Sequence, residues 1–375
     1  MYALIGTHMT YFRSSVAAAL LTTLSAALVS SGCTSDETEP SPSTGGSDAS
    51  TGGSDTGTGG TSTGGTSTGG SAGGAGNAGS GGMGSGNAPS TEEVVGNFRI
   101  TLKDPTASRD GFTEVIGFVY EKPYPQELVW EETHTEGECQ LSEPKVPFCD
   151  PACTGGSVCV ESGDCVTPPV KKSLGDATVK GVRTAAGATE FTMKPVAGNY
   201  QPGGDTGTIP YESFAAGDTL SVTTTGGDFT PITLESTGIE PLVVTTPAPV
   251  AVESGKPVSL AWEAGSNPAA KLDIKLEISH HGGVKGMVTC QVPDTGSTEI
   301  PEQLVTELIA LGVAGYPTVS LTRVTSDAAS ISAGRVELLV MSQQARPVQI
   351  PGLISCSEQE PCPDGQECTP ARKCE

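Results

Sequence analysis

Positive charge is scarce in this sequence. Its 375 residues include 20 Lys and Arg against 43 Asp and Glu, which gives a formal net charge of -23. Phosphate contacts need clustered basic side chains, and no such cluster is present, so we exclude nucleic acid as a partner. An acidic surface suits solubility or a cationic partner and does not by itself choose a function.

Histidine and the common catalytic motifs are scarce as well. With 4 histidines, acid–base chemistry would have to depend on carboxylates. The part of the chain after the linker contains no G-x-S-x-G, no H-E-x-x-H and no calcium-binding loop spacing. Adjacent His280 and His281 would point to opposite sides of a strand, so we interpret them and the glycines that follow as a hairpin turn. We therefore expect no enzyme activity, no catalytic residue, no metal and no cofactor.

Long apolar runs are also missing. The run from Val16 to Val29 has about 14 residues, which is too short for a membrane span and typical of a signal-peptide core. We predict that residues 1–32 are a signal peptide, with translation starting at Met1 or Met9.

A cysteine follows this run, in Leu28-Val-Ser-Ser-Gly-Cys33. The segment resembles the lipobox of bacterial lipoproteins, although Ser30 stands where that motif usually has Leu. The resemblance implies a lipid on Cys33, a membrane anchor, and an exported protein on the outer membrane, exposed at the cell surface. The alternative is ordinary signal cleavage that leaves a free thiol. Lipidation of Cys33 would leave 10 of the 11 cysteines, an even number for an oxidising compartment.

Residues 33–95 are rich in Gly, Ser and Thr and contain almost no aliphatic side chain before Val94. Such a segment cannot bury enough apolar area to offset its backbone entropy, so we predict a disordered linker. About 60 residues of this composition span roughly 40 Å, enough to hold the folded part away from the membrane.

Apolar residues alternate with polar ones from Gly96 onward, which is the period of a strand with one buried face. Val258, Leu260 and Trp262 show it most clearly. The pattern predicts a mainly β fold with two β-sandwich (Ig-like) domains, at 96–238 and 239–350. One helix is predicted at 301–311, since Pro301 suits a first helical position and Gly312 a stop.

Two cysteine-rich modules share the pattern C-x2-G-x2-C-x5-C. One is inserted in the first domain at about 139–168, and the other is the C-terminal segment 351–375. Neither has a C-x-x-C pair, which argues against zinc, and the exported context argues for disulfides. Four cysteines allow three pairings in each module. We predict these pairs: Cys149 with Cys159, Cys153 with Cys165, Cys356 with Cys368, and Cys362 with Cys374. Cys139 and Cys290 either pair with each other or leave Cys290 as a buried free thiol.

The modules resemble the small disulfide-rich repeat of the Dickkopf N-terminal type, which occurs in pairs in extracellular proteins. Nearly the full chain resembles myxobacterial lipoproteins that carry a Gly-rich spacer. The resemblance depends on that spacer, the cysteine pattern, the strand Pro257–Trp262 and the segment Val288–Gly296. It implies a structure but no activity.

Two weaker features bear on function. Asp-Thr-Gly occurs at Asp205 and Asp294 and resembles the tripeptide of aspartic proteases, in which two aspartates share a proton. The apolar strand that precedes that tripeptide in the family is missing here, a further copy at Asp55 lies in the linker, and the alternative is a polar β-turn. Aromatic residues offer a second lead, since they could form a sugar-binding platform, with core or loop packing as the alternative. They are Tyr120, Tyr124, Trp130, Tyr200 and Tyr211.

We expect a non-catalytic envelope lipoprotein that binds or adheres to an extracellular protein or glycan. One alternative is an envelope hydrolase of the aspartic-protease type, or a module associated with a hydrolase. A further alternative is a protease inhibitor that presents a rigid loop of the segment 351–375.

Overall fold

A computed structural model describes residues 92–375. The predicted signal peptide, Cys33 and the linker as far as residue 91 lie outside the described residues. The described part contains nineteen strands and one helix, so the predicted mainly β class is confirmed. No helix within residues 92–375 has the length and apolar character to cross a membrane.

The elements follow one another along the chain with short connections except around the two cysteine-rich modules. They are β1 (Val94–Lys103), β2 (Phe112–Tyr120), β3 (Val129–Glu136), β4 (Cys139–Lys145), β5 (Val158–Cys159), β6 (Cys165–Val166), β7 (Lys171–Lys172), β8 (Ala177–Lys180), β9 (Glu190–Met193), β10 (Asn199–Tyr200), β11 (Thr219–Thr224), β12 (Thr233–Thr237), β13 (Val250–Ala251), β14 (Val258–Ala261), β15 (Lys271–Glu277), β16 (Met287–Pro293), β17 (Ser297–Ile300), α1 (Glu302–Ala310), β18 (Thr318–Ile331) and β19 (Gly334–Gln349).

Eleven strands form one large sheet in the order β10-β2-β1-β19-β18-β15-β16-β4-β3, with β7 beside β2 and β13 beside β19. The hairpin of β18 and β19 lies at its centre, because β1 pairs with β19 and β15 pairs with β18. The β1–β19 pair is parallel, while the β18–β19 pair is antiparallel. The first and last long strands of the described chain are therefore neighbours.

Both hydrophobic cores lie on the same face of this sheet. Val336, Leu338 and Val340 of β19 belong to the first core, and Ile350, just after β19, belongs to the second. These positions differ by even numbers, and side chains two apart in a strand point the same way. The two cores therefore share the large sheet as one wall, and the first core includes side chains from both predicted domain segments.

The second layer differs between the cores. A four-stranded sheet, β12-β11-β8-β9, contributes Val179, Leu220 and Leu234 to the first core. The second core is closed by the β14–β17 ribbon and by α1, which buries Leu304, Val305 and Leu308. Trp262, directly after β14, is buried there as well.

Helix α1 lies within the predicted range 301–311. Pro301 precedes it with φ −58°, a dihedral that the proline ring already imposes. Glu302 places a negative charge in the first turn, where the helix dipole favours it, and Gly312 follows the helix with φ +98°.

One glycine of β2 marks a close contact in the first core. Gly117 lies opposite Phe98 of β1, and a Cβ at Gly117 would approach Phe98 Cδ1 to 2.4 Å. Phe98 is fully buried, so its ring occupies the space above the glycine.

Five disulfides join the ten cysteines of the described chain. They are Cys139–Cys290, Cys149–Cys159, Cys153–Cys165, Cys356–Cys368 and Cys362–Cys374. The first links directly opposed residues of β4 and β16, and both of its cysteines are buried in the second core. The other four hold the two modules, each with its first cysteine paired to its third and its second to its fourth. Cross-links of this kind suit modules that are too short to bury a core of their own.

Candidate binding face

The outer face of the large sheet points away from both cores. On β2 every second residue is buried in the first core, and the residues between are half-buried. The same alternation runs through most of β18 and the first half of β19. A broad sheet face is thus available for contact with a partner.

Apolar side chains occupy the middle of this outer face. Leu339 and Met341 of β19 are half-buried, and Val324 of β18 lies opposite Met341. Ile116 lies two strands away on β2, also half-buried. The solvent face of an antiparallel sheet is usually polar, and contiguous exposed apolar groups often mark an interaction surface. We call these four residues the apolar patch.

Arg99 lies within the apolar patch, because its neighbours across the strands are Ile116 on one side and Leu339 on the other. Its Nε atom is shielded from solvent and has no hydrogen-bond partner within residues 92–375. The same holds for Oδ1 of Asn97, which lies two residues away on the same strand face. Shielded polar atoms in proteins nearly always have a partner, so two unsatisfied atoms on one open face are informative.

Nearby acidic side chains do not neutralise Arg99. Glu114 pairs with Lys103 at 3.4 Å, and Glu337 pairs with Arg335 at 2.6 Å. The described chain gives Arg99 no ion-pair partner, although the protein as a whole is strongly acidic.

An aromatic cluster lies at one end of the outer face. The ring centroids of Phe118 and Tyr120 are 5.4 Å apart, as are those of Tyr120 and Tyr124. Lys171 Nζ lies 5.6 Å from the Phe118 centroid and 5.9 Å from that of Tyr120, within cation–π range. Burial, and secondarily Tyr124, raises the pKa of Tyr120. The rings meet edge to face at 63° and 61°, so they form a ridge and not a flat stacking surface.

The structure does not assemble the five aromatics that could have formed a sugar platform. Tyr200 is buried, and its hydroxyl accepts a hydrogen bond from Leu174 N at 2.7 Å. Tyr211 donates to Asp104 Oδ1 at 2.6 Å, and burial together with this carboxylate raises its pKa. Trp130 lies on β3, which is the edge strand at the other side of the sheet from β2. Only Tyr120 and Tyr124 contact each other, because packing and strand order separate the rest.

A polar cleft of about 550 Å³ crosses five strands at the other end of the outer face. Amide, hydroxyl and charged side chains line it, among them Gln140, Thr289, Ser320 and Gln343. Part of this surface is already ordered: Lys271 Nζ donates to Gln291, which donates to Asp273. The cleft therefore offers many hydrogen-bonding groups to an extended partner.

Asp294 of the second Asp-Thr-Gly segment lies in a buried ion pair and not in an open site. Its side chain is 3% exposed, and Arg323 Nε donates to Asp294 Oδ2 at 2.7 Å. Trp262 Nε1 donates to Oδ1 at 2.6 Å, and Gly265 N donates to Oδ2 at 3.1 Å. Asp205 of the other copy lies in an exposed turn. The two aspartates have different surroundings and do not form a pair that shares a proton.

Arg323 joins several segments around this aspartate. Its side chain is 1% exposed and donates to the carbonyl oxygens of Glu240, Pro241 and Glu263. Burial works to raise the pKa of Glu240, but hydrogen bonds from Ser266 and the charge of Arg323 outweigh it and lower that pKa. Arg323 thus connects β18 to the chain segments that close the second core.

His280 and His281 lie in the turn after β15, as the sequence predicts. Their ring centroids are 4.0 Å apart. Within residues 92–375, the groups of side chains close enough to share a metal ion consist of cysteines whose sulfurs are in disulfides.

Sequence reasoning missed Arg99 and Arg323. The signal for Arg323 is present, because Val319, Leu321, Arg323 and Thr325 alternate on one face and place an arginine among core positions. Arg99 could not be found in this way, since its importance depends on neighbours from β2 and β19.

The sequence matches no model of a protein family and no curated protein.

Proposed function

We propose that the protein is a non-catalytic, exported lipoprotein that binds an extracellular protein or glycan with the outer face of its large sheet. A lipid on Cys33 would anchor it to the outer membrane, and the linker 33–95 would present the folded part at the cell surface. The five disulfides support a location outside the reducing cytoplasm.

The observation that carries the proposal is Arg99, unpartnered among the apolar side chains of the patch. An arginine binds a carboxylate with two parallel hydrogen bonds, and the pair strengthens where a partner excludes water. Such an arrangement favours a partner that inserts an acidic group between apolar contacts. Acidic proteins and glycans with carboxylates both supply this chemistry.

The remainder of the face fits an extended partner. The polar cleft and the aromatic cluster lie at opposite ends of the outer face, with the apolar patch between them. Protein interfaces place their strongest contacts centrally and surround them with polar groups, which is the order seen here.

The binding test uses the full chain with its disulfides formed. We would immobilise it and measure binding of intact cells, of an acidic polysaccharide (polygalacturonate) and of a neutral one (dextran). The variant Arg99→Gln removes the charge and keeps a polar side chain. The control Thr192→Gln changes an exposed residue on the outer side of the four-stranded sheet.

We expect Arg99→Gln to lower the affinity for the bound probe about tenfold or more, because a charged hydrogen bond contributes about 1.5–3 kcal/mol. The control should bind like the wild type. Equal binding by Arg99→Gln and the wild type would refute the use of this face. A selective loss for polygalacturonate would identify a glycan partner, and a loss confined to cells would identify a surface protein.

The address is tested separately. Protease treatment of intact cells should release peptides from 96–375 and leave a lipid-modified Cys33 in the membrane fraction, as measured by mass spectrometry. Complete protection until the outer membrane is opened would place the protein in the periplasm and refute surface display.

A further inference from the structure

A second cleft lies where the C-terminal module meets the body of the protein, far from the features used above in sequence and strand order. It has a volume of about 410 Å³. Its lining residues are His281, Tyr316, Ser357, Glu358, Gln359 and Arg372. Pockets of this size hold small molecules, and these side chains offer both charge and hydrogen bonds.

The walls of the cleft are held together by close backbone contacts. Gly315 N donates to Ala371 O at 2.8 Å, and Tyr316 N donates to His280 O at 2.7 Å. A Cβ at Gly282 would meet Gly315 N at 2.4 Å and Ala371 O at 2.6 Å. Glycine is needed there so that the module can approach the turn that carries His281. The cleft is therefore built into the fold.

Two of its lining residues have an unfavourable backbone conformation. His281 has φ +61° and Arg372 has φ +57°, in the left-handed region that side chains with a Cβ rarely adopt. Such conformations cost free energy and concentrate at functional sites. Here two of the four positive-φ residues other than glycine in the described chain line one cleft.

The inserted module provides an internal control for Arg372. Gly163 lies two residues before Cys165, as Arg372 lies two residues before Cys374, and Gly163 is also left-handed, with φ +82°. Glycine is thus used at this position in one copy of the module. The arginine in the other copy keeps an unfavourable backbone, which suggests that its side chain is needed.

The guanidinium of Arg372 is available for a ligand. No hydrogen bond or ion pair of its side chain is present in the part of the chain that the structure describes. It lies between this cleft and an adjoining one of about 430 Å³, which Ser357 and Glu358 also line.

We propose that this cleft binds an acidic sugar with a single carboxylate, such as a uronic acid. Arg372 and His281 would receive the carboxylate, and the Tyr316 ring would lie against the sugar. Ser357 and Gln359 would bond its hydroxyl groups. Glu358 accepts hydrogen bonds from hydroxyl groups and repels a second negative charge, so polyanions are disfavoured. The proposal is independent of the outer face of the large sheet.

The test measures binding of galacturonate, galactose and acetate to the full chain by isothermal titration calorimetry. The variant is Arg372→Gly, which copies the inserted module and relieves the backbone. The control is Lys373→Ala, which removes a neighbouring charge that pairs with Glu375 at 3.1 Å and does not line the cleft. Arg372→Asn serves as a second variant, because asparagine tolerates a left-handed backbone.

We expect saturable binding of galacturonate, and binding of galactose and acetate that is weaker by about tenfold or more. Arg372→Gly and Arg372→Asn should lose galacturonate binding while their thermal unfolding stays at or above that of the wild type. Lys373→Ala should bind normally. Wild-type affinity in both Arg372 variants would overturn the proposal. Equal affinity for acetate, or no saturable binding of galacturonate, would overturn the choice of an acidic sugar.

Discussion

Replacing Asp294 with asparagine tests whether this residue stabilises the fold or takes part in chemistry. The change keeps the shape of the side chain and removes its charge. Arg323 would then be left without its counter-ion at a position where the two side chains are 1% and 3% exposed. The hydrogen bond from Trp262 to Oδ1 can persist, because an asparagine oxygen also accepts it.

The expected cost is large. Removing one partner of a buried ion pair leaves a charge without compensation and costs about 3–5 kcal/mol. Total stabilities of protein domains are about 5–15 kcal/mol, so the variant would lose a substantial part of its stability. A loss of about 4 kcal/mol lowers the ratio of folded to unfolded protein roughly a thousandfold.

The chain contains a suitable probe for this experiment. Trp262 contacts Asp294 directly, and the other tryptophan, Trp130, lies exposed on an edge strand. In a Trp130→Phe background, urea denaturation followed by fluorescence reports on Trp262 alone. The comparison is the free energy of unfolding of Asp294→Asn against the background protein.

A double-mutant cycle separates the pair from its neighbours. Arg323→Met should also destabilise the protein, and the double variant should cost less than the sum of the single changes by at least about 1 kcal/mol. A loss of less than about 1 kcal/mol for Asp294→Asn would refute the structural role. Peptide cleavage by the wild type that Asp294→Asn abolishes without loss of stability would support the hydrolase alternative.

Three further predictions concern other contacts. The pKa of Glu307, lowered first by Gln303 and then by His134, should lie below 4.5 in an NMR titration, and Gln303→Ala should raise it. Because the folded pKa is lowered, this contact stabilises the protein above pH 4.5 and is lost as the pH falls through the folded pKa. Replacing both Cys139 and Cys290 by alanine should cost up to about 5 kcal/mol in urea denaturation, since their 151-residue separation closes a long loop. Gly117→Ala should destabilise the protein by about 1–3 kcal/mol in the same assay, because the new methyl group meets a buried phenylalanine ring.

Matched variants check each of these expectations. A Glu307 pKa that Gln303→Ala leaves unchanged would contradict the role assigned to that amide. The pair Cys362 and Cys374, 12 residues apart, should cost about 3 kcal/mol on removal, and an equal loss for both disulfides would contradict the loop argument. Gly203→Ala should be neutral, since a Cβ there meets no atom within 4 Å.

Local patterns were sufficient to predict the strands. Val258, Leu260 and Trp262 alternate in the sequence and are buried together, as are Leu272, Ile274 and Leu276. The period of a strand is local, so it is visible without knowledge of the rest of the chain. The single helix follows from equally local signals, the proline at its start and the glycine after it.

Pairings between distant segments could not be predicted. Alternation shows that Phe98 and Leu338 point inward, but not that β1 lies beside β19 in parallel. The same limit hid the outer face, because the surroundings of Arg99 come from strands remote in sequence. Sequence alone treated the aromatics as one group for the same reason: Tyr120 and Trp130 are ten residues apart in the chain but lie toward opposite edges of the sheet.

The parallel pairing of β1 with β19 also sets an order of events during biosynthesis. Residues 94–102 cannot complete their hydrogen bonds until residues 335–342 have been made, by which time nearly the whole polypeptide exists. Until then β1 has only β2 as a partner, and an isolated two-stranded hairpin is barely stable in water. The large sheet therefore closes late, which keeps the growing chain unfolded for as long as a chain destined for export must remain able to pass through a membrane channel.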